Sequence, residues 1–295
     1  KVVHQFFPID TKNLNEKFLD YWKPNLSMFV DSEIWPNTML NLKKKKIPII
    51  LINGRITERS FKRWIRFKNF SRNIFDKFDL CICSSIKSKI FLKKLGAKKL
   101  KYFGNLKFAQ SESEKIEIKK NFKEFVKTKK VWCASSTHDT EENFVGLVHK
   151  KLKLQYKNLL TIIIPRHINR IDDIKSQLLQ QGLKVHLHEP LKKISKDTDI
   201  YLVNSYGQTK SFFSICKNVF LGGSLINHGG QNPLEAVRYG CNILHGPNIA
   251  NFEEIYNFLN YQKISFKVQK QTEMLNVLTK LLSLKNNQKN IKNKI

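Results

Sequence analysis

The segment NVFLGGSLINHGGQNPLEAVRYGCNILHGP, residues 218–247, holds the densest set of residues able to bind an anion. Apolar Val219 to Leu221 run into Gly222-Gly223-Ser224, the pattern of a buried strand opening into a loop where backbone can approach a ligand. Gly229 and Gly230 extend that loop, and Asn232-Pro233-Leu234-Glu235 reads as a helix start with Asn232 as N-cap and Pro233 at the first helical position. The helix is expected to end near Gly240. Such a unit suits a phosphate on backbone amides and a ribose on the first-turn carboxylate. The competing reading is an ordinary α/β crossover.

Other polar groups fall at the ends of predicted strands. Glu33 follows the strand ending at Val30, Arg55 the one ending at Ile52, and Ser135 to His138 the one from Val131 to Ala134. Pro165 and Arg166 end the strand from Leu159, and Tyr206-Gly207-Gln208 follow Val203. In an open parallel sheet the loops after the strand carboxyl ends form the ligand crevice, and an arginine there suits bidentate phosphate recognition. For each residue a plain surface role stands as the alternative. His186 and His188 alternate on one strand without a third ligand nearby, so no metal site is expected.

Strands must alternate with helices to place these groups. The predicted strands cover residues 1–7, 26–30, 47–52, 80–83, 101–103, 131–134, 159–164, 184–187, 200–203, 219–221 and 242–244. Helical periodicity falls between them, including 61–78, where FKRWIRFKNF alternates aromatic and basic residues. That stretch fits single-stranded nucleic acid, an acidic lipid surface or an ordinary core-facing helix equally well. Two doubly wound α/β domains follow, at 1–110 and 111–295, the second opening with a charged linker at 111–130 that turns helical.

Of the 295 residues, 53 are Lys or Arg and 24 Asp or Glu, a formal charge of +29 that implies an anionic partner: nucleic acid, membrane surface or phosphorylated substrate. The clusters Lys43–Lys46 and Lys285–Lys294 are solvated or membrane-facing. Cys81, Cys83, Cys133, Cys216 and Cys241 fall mostly in apolar runs and read as buried free thiols. No apolar run reaches the length of a membrane-spanning helix.

Seven blocks in order, DSEIWPN at 31–37, INGRITERS at 52–60, GNLKF at 104–108, VWCASSTHDTEE at 131–142, PRH at 165–167, GGSLINHGGQNPLEA at 222–236 and GPNIANFEEI at 246–255, resemble the Kdo transferases of Gram-negative bacteria. These move 3-deoxy-D-manno-octulosonic acid (Kdo) from CMP-Kdo onto a lipid A precursor. The resemblance implies a GT-B fold, two Rossmann-like domains with parallel sheets facing across a cleft, the first of them incomplete. It implies that Glu33 and Lys107 stabilise the transition state, and that Pro165, Arg166, Tyr206, Gly207, Gln208, Asn232, Pro233, Leu234 and Glu235 bind CMP. Arg55, Ser136, Gly223 and Ser224 are further candidates for substrate contact.

The implied partners are CMP-Kdo, a phosphorylated lipid A precursor and the anionic cytoplasmic face of the bacterial inner membrane, with no cofactor, no metal and no nucleic acid. Gln208 and Gln231 depart from the acid and the histidine usual in the family. The family's general base, a glutamate in a glycine-containing loop, matches nothing here, and neither does the membrane anchor before it. The chain is therefore expected to be N-terminally truncated and unable to turn over. The alternatives are a UDP-sugar transferase of the same fold and, in a different class, a basic nucleic-acid-binding protein.

Overall fold

The computed structural model describes residues 2–106, 120–189, 192–284 and 291. Lys107, the start of the charged linker and the lysines of the Lys285–Lys294 cluster lie outside the described residues. The chain divides into two compact units, Lys1–Gln110 and Ser111–Ile295, and each is an α/β unit with an entirely parallel sheet.

In the first unit the strands β1 (Ser27–Val30), β2 (Ile49–Gly54), β3 (Leu80–Cys83) and β4 (Leu100–Tyr102) lie side by side in chain order. Helices α1 (Lys12–Trp22), α2 (Pro36–Lys44), α3 (Glu58–Ile65), α4 (Lys68–Phe75) and α5 (Ile86–Leu95) connect and cover them. The core joins Phe29, Ile49 and Leu51 of the sheet to Met39, Leu42, Ile74, Phe75 and Leu92 of the helices. Residues 2–9 do not form the expected strand: Val2 and Phe6 are exposed, and Asp10 instead caps α2 by accepting from the Asn37 and Thr38 amides at 3.0 and 2.9 Å. The apolar residues at the start find no neighbouring strand to pair with among the described residues, so their pattern alone does not make one.

The stretch 61–78 is two helices rather than one. Their aromatic side packs inward, with Phe61 stacked on Phe91 at 4.3 Å and Trp64 edge-on to Phe75 at 5.2 Å. Phe67 and Phe70 stay exposed beside the basic face. Most of the aromatic stripe thus supplies core contacts, the commonest use of such spacing.

In the second unit seven parallel strands run β11-β10-β9-β5-β6-β8-β7. They are β5 (Lys130–Thr137), β6 (Leu159–Pro165), β7 (Val185–Leu187), β8 (Ile200–Leu202), β9 (Asn218–Leu221), β10 (Asn242–His245) and β11 (Ser265–Lys267). Between them come α6 (Lys120–Lys127), α7 (Glu141–Gln155), α8 (Ile171–Gln180), α9 (Thr209–Phe213), α10 (Leu234–Arg238), α11 (Glu253–Tyr261) and α12 (Gln271–Ser283), with a 3-10 turn at Ile168–Arg170.

The alternation of side chains along β5 sorts the core onto the two faces of the sheet. Cys133 joins Leu160, Ile162, Val219 and the helix residues Val237, Ile255 and Leu259, whereas Trp132 and Ala134 join Val145, Leu152, Leu178, Met274 and Leu278. Every residue of β6, LLTIIIP, is buried, as an apolar run with helices on both sides requires. β11 was not among the predicted strands: three residues at an edge leave too short an alternation to stand out from the flanking helices.

Candidate functional site

The strand order reverses between β5 and β9: the chain leaves β5 toward β6 on one side and returns to place β9 on the other. Ligands in open α/β sheets bind outside the carboxyl ends at such a switch point. Because all seven strands are parallel, Ser136 near the end of β5, and Arg166, Tyr206 to Gln208 and Gly223 after β6, β8 and β9, lie at that one edge.

The local geometry there depends on one carboxylate that sequence reasoning treated only as a helix-start acid. Glu141, the first residue of α7, is 1% exposed and accepts four backbone N–H bonds. Its Oε2 takes the amides of His138 at 3.0 Å and Gly223 at 2.7 Å, and its Oε1 those of Ser224 at 3.2 Å and Leu225 at 3.0 Å. It thereby fastens the loop after β9 to the loop after β5. The signal available in the sequence was its spacing three residues after His138 at a helix start, which does not say that the acid reaches another strand.

Gly222 is required by the same approach. Its amide donates to the Ser135 carbonyl at 2.8 Å, and a Cβ there would lie 2.4 Å from the Ser136 oxygen and 2.5 Å from Thr137 Cα. Ser136 itself takes a positive φ of 55°, beside the irregularity where β5 ends against β6. Beyond it, the Arg166 amide donates to the Thr137 carbonyl at 2.9 Å, and the Arg166 side chain is exposed while Pro165 is buried.

Ser224 is fully buried. Its hydroxyl donates to the Leu221 carbonyl at 2.5 Å and accepts from the Gly246 amide at 2.8 Å. The amides of Gly223 and Ser224 are engaged by Glu141, so a ligand would meet this loop on a scaffold already satisfied rather than on free donors. α10 begins at Leu234, one residue later than expected, and Asn232 Oδ1 accepts from the Leu234 amide at 3.2 Å, so its side chain still caps the first turn. The helix ends at Arg238, and Gly240, with φ of 79°, follows its last turn as expected. Glu235, half-buried, lies 3.5 Å from the Thr209 hydroxyl, which places it beside the segment Tyr206-Gly207-Gln208 that leads into α9. Tyr206 is exposed and Gly207 has φ of 80°.

Three histidines gather at this edge. The His138 ring lies 4.4 Å from that of His228 and 5.7 Å from that of His167, centroid to centroid. Burial, followed by the charge of His228, holds the His138 pKa below its ordinary value. On the edge strand β7 and just after it, His186 stacks on Tyr201 and His188 bonds the Tyr201 hydroxyl at 2.8 Å. Among the described residues no group of three His, Cys, Asp or Glu is placed to hold a metal ion.

In the first unit, the ends of β1 and β2 are tied together. Asn53 donates to the Asp31 carboxylate, the Ser32 hydroxyl to the Arg55 carbonyl at 2.8 Å and the Arg55 amide to the Asp31 carbonyl at 2.9 Å. Asn53 Oδ1 also accepts from the Leu106 amide at 3.0 Å, drawing the Gly104–Leu106 segment to the end of β2. Glu33 is exposed and accepts from Trp35 Nε1 at 2.9 Å. The structure thus brings the Glu33, Arg55 and Gly104 blocks to one edge of their sheet, with Lys107 just past the described residues.

Two parallel α/β units, the second with a reversal at the carboxyl edge, define a protein of GT-B fold. A chain bound to UDP-GlcNAc, the UDP-GlcNAc 2-epimerase of Neisseria meningitidis, superposes with a TM-score of 0.58 over 95% of this chain and 72% of its own at 14% identity. The C-terminal CMP-Kdo binding domain of WaaA from Acinetobacter baumannii gives 0.55 over 59% of this chain and 91% of its own at 22% identity. Residues 1–110 match the family described as 3-Deoxy-D-manno-octulosonic-acid transferase (kdotransferase). The 3-deoxy-D-manno-octulosonic acid transferase of Rickettsia bellii is 32% identical over 98% of this chain and 69% of its own length. That of Rickettsia conorii is 33% identical over 96% and 61%.

The chain belongs to the 3-deoxy-D-manno-octulosonic acid transferase family, a family of glycosyltransferases. It spans between three-fifths and seven-tenths of the length of these two relatives.

Proposed function

We propose that this chain supplies the donor side of an inverting transferase that moves Kdo from CMP-Kdo to a phosphorylated lipid A precursor. The observation that supports it most is the position of the family's blocks in the second unit: each follows a strand carboxyl end at the switch-point edge. In this reading exposed Arg166 neutralises the donor phosphate, and Glu235 accepts from the ribose hydroxyls beside Tyr206, Gly207 and Gln208. Asn232, Pro233 and Leu234 shape that wall.

The acceptor hydroxyl attacks the anomeric carbon, the bond from that carbon to the phosphate oxygen breaks, and CMP departs as an anion. Cations are the expected stabilisers of that charge, Lys107 among them, and Glu33 takes the acidic role the family assigns in transition-state stabilisation. No cofactor takes part. The hydroxyl proton needs a base, and the glycine-loop glutamate of the family matches no residue of this sequence, so these 295 residues alone bind donor without turnover. The +29 charge draws the protein to a phosphorylated lipid at the anionic cytoplasmic surface of the inner membrane. No helix among the described residues is long and apolar enough to cross a membrane.

A UDP-sugar donor is the second reading, favoured by the likeness to the UDP-GlcNAc-bound epimerase. Calorimetry separates the two: CMP should bind and UDP should not, and Arg166→Ala and Glu235→Ala should each weaken CMP by about tenfold, the worth of a charge-assisted hydrogen bond. Binding of UDP in place of CMP, or affinity unchanged in both variants, would refute the assignment.

A further inference from the structure

His138 is 8% exposed, and its Nδ1 lies 3.1 Å from the Ser136 carbonyl oxygen. A carbonyl only accepts, so Nδ1 carries the proton. Burial keeps the ring neutral near pH 7, which leaves the lone pair on Nε2. That nitrogen is buried and has no hydrogen-bond partner. An orphaned buried acceptor is unusual enough to need an explanation.

The ring facing it is that of the exposed His228, at 4.4 Å and tilted by 42°. Its backbone is held on both sides: the His228 amide donates to the Ile226 carbonyl at 2.8 Å, and Asn251 Nδ2 donates to the His228 carbonyl at 3.2 Å. Gly223, with φ of 64°, makes room for the pair. A Cβ on it would lie 3.0 Å from His228 Cδ2 and 3.2 Å from His138 Cε1.

We infer that His228, backed by His138, is a subsite for the carboxylate of an acidic sugar on the donor nucleotide. The inference rests on the donor-binding reading above and deepens it, since the carboxylate is a group the sugar acid has and CMP lacks. A protonated His228 has two N–H donors: with its exposed ring turned toward His138, one would reach the orphaned Nε2, and the other would meet a carboxylate oxygen. A neutral acceptor behind it orients the imidazolium without repelling it. Of the other ionisable groups packed around His138, the His167 ring is 5.7 Å away and the Glu141 carboxylate is occupied by its four amides. His138 is therefore a positioning residue and His228 the one that touches substrate.

Calorimetry of CMP and CMP-Kdo on the full chain tests this with wild type, His228→Ala and His228→Lys. His228 is an exposed loop residue, so these variants keep the fold. Wild type should bind CMP-Kdo at least about tenfold more tightly than CMP, the effect of one charge-assisted hydrogen bond. His228→Ala should collapse that ratio toward one and His228→Lys should restore part of it. Ring nitrogen NMR at pH 7 should show His228 becoming an imidazolium on addition of CMP-Kdo and not of CMP. A ratio that survives His228→Ala, a wild type that does not discriminate, or a His228 ring that stays neutral overturns the subsite. If wild type binds neither ligand, the donor-site reading itself fails and the subsite falls with it.

Discussion

Glu141 concentrates more structural consequence in one side chain than any residue singled out by its type. Both its oxygens accept backbone amides, two each, and those amides belong to segments more than 80 residues apart in the chain. A glutamine in its place must turn an NH2 toward two N–H donors whichever way the amide faces, leaving buried donors unsatisfied. Glu141→Gln should therefore cost about 2–3 kcal/mol in urea unfolding and weaken CMP binding several-fold. Unchanged stability and affinity would mean that the loop holds its shape without the carboxylate. The acid was visible in the sequence beside Asp139 and Glu142, yet nothing there distinguishes it from them. In the structure Asp139 and Glu142 turn to Arg170, at 2.7 and 3.2 Å, while Glu141 turns to the glycine loop.

At the scale of elements, α7 is fastened to the sheet by a second buried polar group far along the helix. His149, fully buried, has Nδ1 2.8 Å from the Thr161 hydroxyl on β6 and Nε2 3.4 Å from the Asp199 carboxylate just before β8. Asp199 also accepts from Lys153 and from the Lys184 amide. Although burial works against its charge, bonds from His149, Lys153 and Lys184 hold Asp199 well below the usual carboxylate range. Burial lowers the pKa of His149, and His138, His186 and His245 are shifted the same way by the same first cause.

A histidine whose folded pKa lies below its unfolded value binds fewer protons when folded. Stability then falls as pH drops through the ordinary histidine value of about 6.5 toward the folded value. Asp199 adds a loss in the same direction, at pH below the ordinary carboxylate range. Urea midpoints should fall steadily from pH 7.5 to pH 5.5, and His149→Gln should flatten part of that slope. A midpoint that rises on acidification would contradict the burial of these rings as neutral groups.

For the molecule as a whole, the excess of 29 positive charges makes association with an anionic surface a salt-sensitive property. Co-sedimentation with vesicles rich in phosphatidylglycerol should be strong at low ionic strength and largely lost at about 0.5 M salt, where screening shortens to a few ångströms. Vesicles of neutral lipid should retain little. Equal retention on both would point to apolar anchoring through groups such as the exposed Phe67 and Phe70 instead.

The sequence by itself determined the alternation of strands and helices and the blocks that mark the family. Both are encoded locally, by apolar runs, glycines and capping residues whose spacing is read within a dozen positions. Hence Val219–Leu221, Leu159–Ile164 and the Arg166 strand end were legible. It overread residues 1–7 as a strand, because a strand needs a neighbour to pair with. Only the tertiary structure decided that Glu141 consumes the amides of the glycine loop, and that His138 meets His228 across the reversal between β5 and β9. Those contacts join residues separated by more than 80 positions, and a one-dimensional pattern carries no information about which distant donor meets which acceptor.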